Sequence, residues 1–379
     1  ALAATLFAVH AVHSEAVTLI TYRTELLATF FTLVAMRHAV ADDRGGRPWL
    51  LGLCLAAALA SKESGAALAL IYGLWVVIDG QARGDGVFTA LRRRAPALTV
   101  LALVLVGWLV ARSSLVQSTT MPYLASLSPL QRWASVGVIL GKETSWLALP
   151  WPLAPFWDKT MVPLALSLLD PSAIAGWLAV VVAATVAVVT RKGAPVVAIG
   201  AAWWLAGLLP TAQIVALPVG AAERFVYLSS VGALIALAAV LDRSGRLKQR
   251  STLAIAAVAI MVHGAGSARR ALDFVDDATL VRATVRDHPD GFSGWHYLGA
   301  ERLKANDLDQ ASIALDHAAE ILPGFLPNER LRVDAALAAG DFDRAAALAA
   351  AVIADGAADD ALQAAYQTAR LRGAPAPTN

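Results

Sequence analysis

Cysteine is almost absent from this chain, and charge is scarce. One cysteine, Cys54, occurs among 379 residues. It lies in an apolar run, where it reads as a small buried residue. A single thiol closes no intrachain disulfide, so the chain is not a stapled secreted scaffold. Charged residues make up 16% of the sequence, against about 25% in an ordinary soluble domain. There is no Gly-rich phosphate loop and no Ser-His-Asp set, which removes nucleotide-loop and serine-hydrolase chemistry. Nor is there a basic stripe for nucleic acid, because Arg92-Arg93-Arg94 is more simply a topology signal. The formal net charge of +2 says little until its distribution is read.

What the chain has in excess is apolar sequence: 58% of residues are hydrophobic and the mean hydropathy is +0.59. The long apolar runs stop before Gly266, and the remainder has the charge density of a soluble domain. Two modules follow, residues 1–266 embedded in a membrane and residues 267–379 in water. The first residues, Ala1-Leu-Ala-Ala-Thr-Leu-Phe-Ala-Val9, read as a helix already under way. They carry no charged n-region and no cleavage pattern, so they are not a signal peptide. The expectation is that a first helix and a first outer loop precede Ala1.

A spanning helix needs roughly 20 mainly apolar residues. Candidate spans lie at 16–38, 48–61, 64–79, 95–112, 171–190, 195–210, 224–241 and 251–266. The stretch 131–149 is apolar but carries Arg132, Lys142 and Glu143, and is expected to lie at the interface. Trp146, Trp151 and Trp157 would then form an aromatic belt holding it there. With that assignment Arg37, Arg44, Arg47, Arg83, Arg92, Arg93, Arg94, Arg191, Lys192, Arg243, Arg246, Lys248 and Arg250 fall on one face, which the positive-inside rule places in the cytoplasm. The opposite face receives 10–15, Lys62-Glu63, 113–170, 211–223 and the tail. Composition rich in Ala and Arg points to a bacterial inner membrane, with the tail in the periplasm.

The tail repeats itself. Trp295-x2-Leu298-Gly299, then Ala311, Ala318 and Pro323, match the spacing of a tetratricopeptide (TPR) repeat. The match fails at Arg302, where an aromatic is expected. Thirty-four residues on, Asn306-Asp-Leu-Asp-Gln-Ala311 recurs as Gly340-Asp-Phe-Asp-Arg-Ala345, and 360–373 could begin a third unit. The fold class expected is all-α: a polytopic membrane helix bundle followed by a short TPR solenoid. Such a solenoid binds peptide or protein, or serves only as a stabilising appendage.

Ionisable groups inside spans are costly and usually face a cavity. Three clusters gather on the outer face. His10, His13 and Glu15, with Arg23 and Glu25 further along, combine imidazoles and carboxylates. They could bind a divalent metal, line a substrate cleft, or form a polar helix break. Lys62 and Glu63 sit at the junction of two short spans, as site residues or as a snorkelling cation and a helix cap. Arg224 offers a planar fork suited to phosphate, and Tyr227 a further donor, unless both are interfacial anchors. Lys142, Glu143, Asp158 and Lys159 are weaker candidates.

In order along the chain, Phe7-Ala-Val-His-Ala-Val-His-Ser-Glu-Ala-Val17, Tyr22-Arg-Thr-Glu-Leu-Leu27, Ser61-Lys-Glu63, Leu149-Pro-Trp-Pro-Leu153 and Glu223-Arg-Phe-Val-Tyr-Leu-Ser-Ser230 make a set. Together they resemble the transmembrane-and-TPR-containing O-mannosyltransferases and their bacterial relatives, within the GT-C glycosyltransferases. The chain departs from that family's pattern at Ala11 and Ser229, where the family has proline, and at Glu25, where it has aspartate. The resemblance implies a GT-C-like bundle and an inverting hexosyltransferase. The donor would be a polyprenyl-phosphate sugar from the membrane, and the acceptor a hydroxyl, on a protein presented by the TPR tail. It also implies that the catalytic carboxylate lies in an outer loop before Ala1, so no residue of this chain is named as the base. Two other readings stand beside it. One is a non-catalytic membrane-anchored TPR scaffold for envelope proteins. The other is a transporter, which the lack of an obvious inverted repeat disfavours.

Overall fold

The computed structural model describes residues 1–42, 45–115, 124, 126–213, 217, 219–354, 356 and 360–373. Arg44 and part of the outer segment 113–170 lie outside the described residues. The described chain is helical, without strands. It divides into two compact units: residues 1–153 with 162–272, and residues 154–161 with 273–379. The short segment 154–161 therefore belongs with the tail, and the last helix of the bundle runs past Gly266, where hydropathy alone drew the boundary.

In the first unit α1 (Leu2–Val9) and α2 (Ser14–Thr18) lead into α3 (Arg23–Ala41). Extended residues at His10 (ψ 123°) and Leu19 (ψ 121°) interrupt the helix twice, so the span expected from residue 16 begins at Arg23. Next come α4 (Pro48–Ser61), α5 (Ala67–Ala82), α6 (Val87–Arg93), α7 (Ala95–Leu115), α8 (Pro129–Ala148), α9 (Pro171–Thr190), α10 (Pro195–Leu208), α11 (Tyr227–Arg243) and α12 (Arg250–Asp273). Proline opens α4, α8, α9 and α10, at the position where its missing N–H costs nothing. Asp170 caps α9 by accepting from the Ser172 amide at 2.8 Å.

Five described helical stretches are long and apolar enough to cross a membrane: Glu63–Ala82, Ala95–Ser114, Pro171–Thr190, Glu223–Arg243 and Arg250–Asp273. A sixth arises if Ala11–Thr18 and Ile20–Ala41, bent by 99°, count as one span. The best 18-residue windows of α7, α9 and α12 are only 11%, 17% and 6% buried by protein. Faces of that size and apolarity are not left bare to water.

Helix connectivity gives the bundle two ends. Residues of 21–24, 61–64, 210–211 and 224–225 meet at one. Ala1–Ala3 meet 193–197 and Asp242–Arg243 at the other, where Gly46–Pro48 also meet Arg93–Ala97. Basic residues crowd the second end.

Helix α8 lies across the first end. Arg132 donates to the Gln213 carbonyl at 3.0 Å, Lys142 is within electrostatic reach of Glu223, and the His10 ring contacts the Leu147 carbonyl at 3.1 Å. These contacts span about 22 Å of helix at 1.5 Å per residue, yet every partner is at the same end. The aromatic belt, however, does not form. Trp146 and Trp157 are buried and only Trp151 is exposed, because their large rings fill core space instead of facing outward. Trp157 packs in the tail unit, edge-on to His288.

The second unit holds α13 (Asp277–Asp287), α14 (Phe292–Lys304), α15 (Leu308–Ile321), α16 (Leu326–Ala338), α17 (Phe342–Ala354) and α18 (Asp360–Gly373), each packed on the next. The repeat is visible bond for bond. Between α14 and α15 the Asn306 amide reaches the Leu303 carbonyl at 3.0 Å and the Asp307 amide reaches Arg302 at 2.9 Å. Thirty-four residues later Gly340 reaches Leu337 at 3.1 Å and Asp341 reaches Ala336 at 2.9 Å. Asn306 and Gly340 both take positive φ, 60° and 74°. Arg302, the residue that breaks the aromatic pattern, pairs with Asp307 at 3.1 Å.

Candidate functional site

The polar breaks between apolar helices converge at one end of the bundle. Glu15, fully buried on α2, accepts from the Arg224 backbone amide at 2.8 Å and pairs with the Arg224 guanidinium. Arg224 sits in the single turn Glu223–Val226 that precedes α11. Its neighbour Glu223, also fully buried, lies 3.5 Å from Arg270 on α12, and Arg270 donates to the Leu153 carbonyl at 2.9 Å. Glu25, near the start of α3, takes Lys62 Nζ at 2.6 Å and the Ser64 hydroxyl at 2.7 Å. The three acids thus hold three cations, Lys62 and Arg224 from breaks between helices and Arg270 from within α12. Burying such charges is tolerable because each is paired with an opposite charge.

A cleft of about 330 Å³ opens against this network. Tyr22, Lys62, Glu63, Ser64, Arg224 and Phe225 line it. The Arg224 guanidinium stacks over Tyr22 at 4.0 Å and lies 5.1 Å from the Phe225 ring. Lys62 stands 5.7 Å from the same phenylalanine. Planar contacts of this kind hold a guanidinium in place and leave its remaining N–H groups for another partner. Glu63 is half exposed and lies 3.9 Å from Arg112. The cleft is therefore a small, largely apolar basin with two cations, each tethered by a carboxylate beneath it.

Several residues expected at the site are placed elsewhere. His10, His13 and Tyr227 form a separate aromatic cluster and do not line this cleft. His13 contacts the Phe7 carbonyl at 2.8 Å and the Ser230 hydroxyl at 3.0 Å, and its ring meets Tyr227 at 4.8 Å. Both nitrogens of His10 are engaged, by the Val12 amide at 3.3 Å and the Leu147 carbonyl at 3.1 Å. The His263 ring lies tilted against that of His10, 4.3 Å between centroids. Among the described residues no group of three or more His, Cys, Asp or Glu side chains is arranged to hold a metal. Arg23 is exposed and makes no ion pair among the described residues; Lys62, not Arg23, neutralises Glu25.

The weaker candidates separate as well. Asp158 is a clasp within the tail unit, accepting from the Thr160 amide at 2.7 Å and the Ser293 amide at 2.8 Å. Lys159 is exposed. Glu143 is fully buried on α8, and neither carboxylate oxygen has a hydrogen-bond partner among the described residues. Burial alone pushes its carboxyl well above the usual range.

Sequence reading gave no site role to Tyr22, Ser64, Glu223 and Phe225, which lie within its motifs, and it passed over Arg270 and His263. The first four adjoin residues that were singled out. Arg270 carried no local signal, lying in a helix whose apolar run had already ended. No family model matches the chain, and no curated protein or solved structure matches it.

Proposed function

We propose that the chain is an integral membrane glycosyltransferase of the GT-C type. In this reading it moves a hexose from a polyprenyl-phosphate donor to an acceptor hydroxyl, with a TPR-like tail that presents a protein acceptor. The observation that carries the proposal is the cleft holding Lys62 and Arg224. Two cations share one small basin at the end of an apolar bundle, each fixed from below by Glu25 or Glu15. The ordered motifs from Phe7 to Ser230 support the same reading.

The chemistry asks for what the cleft provides. As the acceptor oxygen bonds to the sugar C1, the C1–O bond to phosphate breaks and the lipid phosphate leaves with the bonding electrons. Negative charge grows on that phosphate, and fixed cations nearby lower the barrier. Lys62 and the free N–H groups of Arg224 are assigned that role, while Glu15 and Glu25 position them. The proton of the acceptor hydroxyl passes to a carboxylate base, which is assigned to no residue of this chain. By the positive-inside rule the arginine-rich end is cytoplasmic, so the cleft and tail face the periplasm of a bacterial inner membrane.

The test uses the full-length protein reconstituted with labelled polyprenyl-phosphate hexoses and envelope acceptors. Transfer by the parent that falls about a hundredfold in a folded Lys62→Gln variant supports the assignment. Absence of transfer from every donor by the folded protein overturns the enzyme and leaves the tail as a scaffold.

A further inference from the structure

The opposite end of the bundle holds a second cleft that the proposed reaction does not use. It encloses about 640 Å³ and is lined by Arg47, Arg93 and Arg94, with Asp42 the one carboxylate among the described lining residues, beside Pro48 and Pro96. We propose that this cleft binds the phosphate of an anionic phospholipid headgroup. The inference does not depend on the glycosyltransferase reading.

Arginines that only set topology extend into water. Arg94 does not: it is 5% exposed and its guanidinium lies 5.8 Å from the Trp75 ring. The backbone folds over it at Gly45, where φ is +80° and an added Cβ would sit 2.5 Å from Nη1. The close approach and the positive φ both require glycine there. The site is thus built around a charge drawn inward. Arg93 is held by Asp85 at 2.9 Å. The guanidinium of Arg47 makes no hydrogen bond or ion pair among the described residues, while its backbone amide donates to His38 Nε2 at 2.8 Å.

Two helices start at the same cleft. Helix α4 begins at Pro48 with no side-chain cap, and α7 begins directly after Arg94. Helices α3 and α6 end at the same cleft, at Asp42 and Arg94, so the helix ends offset one another and the arginines carry its charge. Planar guanidinium forks suit phosphate oxygens. Trp49, one residue beyond the cleft on α4, is 61% exposed, and Phe88 on α6 is 78% exposed. Exposed aromatics flanking a basic end mark the headgroup level of a bilayer, which favours a lipid over a free phosphate.

The full chain in detergent would be titrated with phosphatidylglycerol, phosphatidylcholine and inorganic phosphate separately, with bound species counted by native mass spectrometry. The expected result is retention of phosphatidylglycerol about tenfold over phosphatidylcholine, lost in Arg47→Gln and kept in Lys192→Gln, a control at the same basic end. Arg47 is exposed, so its variant should fold. Arg93→Gln supplies a second exposed change, expected to weaken retention in the same direction. No preference for the anionic lipid, or equal loss in Arg47→Gln and Lys192→Gln, would overturn the site in favour of diffuse charge attraction. Saturation by inorganic phosphate with no lipid retained would overturn the lipid and leave a free-phosphate site.

Discussion

In the helix bundle Glu15 and Glu223 are fully buried and each meets an arginine. In the tail, Asp316 takes Arg332 at 2.8 Å and also pairs with Arg344, with all three side chains at least 20% exposed. The packing differs in the same sense. Helices α8 and α9 touch through backbone, a Cβ at Gly176 colliding with the Gly137 carbonyl. The tail helices pack around a small apolar core of Leu315, Val333, Ala336, Ala345 and Ala349. The difference follows from solvent. Lipid offers a charge no partner and gives apolar side chains little reason to leave it, so the bundle relies on paired charges and close small-residue contacts. Water solvates surface pairs cheaply, so the tail depends on burying apolar area.

That contrast can be broken most directly at the ion pairs. Arg224→Ala leaves Glu15 buried without its partner and should cost about 3–5 kcal/mol, read as a large fall in detergent-solubilised thermal stability. Arg344→Ala, at the tail surface, should cost less than about 1 kcal/mol. Equal losses would show that the buried pair is hydrated and the distinction false.

Next in size is Leu315→Ala. It removes a fully buried side chain against which Gly299 packs, and should cost about 3 kcal/mol. Hydrogen exchange should quicken in α14 and α15; unchanged protection there would contradict a tail held by its apolar core. Gly176→Ala should cost about 1–3 kcal/mol by forcing α8 from α9. Gly193→Ala, with nothing within 4 Å of an added Cβ, should be neutral.

An effect that depends on pH is expected at Glu143. Its folded carboxyl binds a proton more tightly than the ordinary value of 4.5. The protein therefore loses stability as pH rises from that value toward the folded one. Glu143→Gln should be the more stable protein at neutral pH, and its advantage should vanish below about pH 4.5. A stability difference that does not change with pH would mean that Glu143 is ionised and partnered.

Much of this architecture was legible in the residues. Apolar length and proline at helix starts report local physics, so the extents of α4, α7 and α9 follow closely from hydropathy. The 34-residue recurrence located both tail turns, because Asn306 and Gly340 tolerate the positive φ that the turn needs. Glu15, Glu25, Lys62 and Arg224 stood out because lipid penalises charge wherever it occurs in a span.

Which charge met which was decided only by the fold. Arg23 lies two residues from Glu25, yet helix geometry does not turn residues that close onto one face, and Lys62 arrived from another break. Glu15 found Arg224, and Glu223 found Arg270, across long stretches of chain whose approach depends on how α3, α11 and α12 pack. The same packing separated the histidines from the cleft and buried Trp146. Sequence by itself determined which residues could not remain in lipid unpaired. Tertiary structure chose the partners, because pairing energies act over a few ångströms and only packing brings distant segments that close.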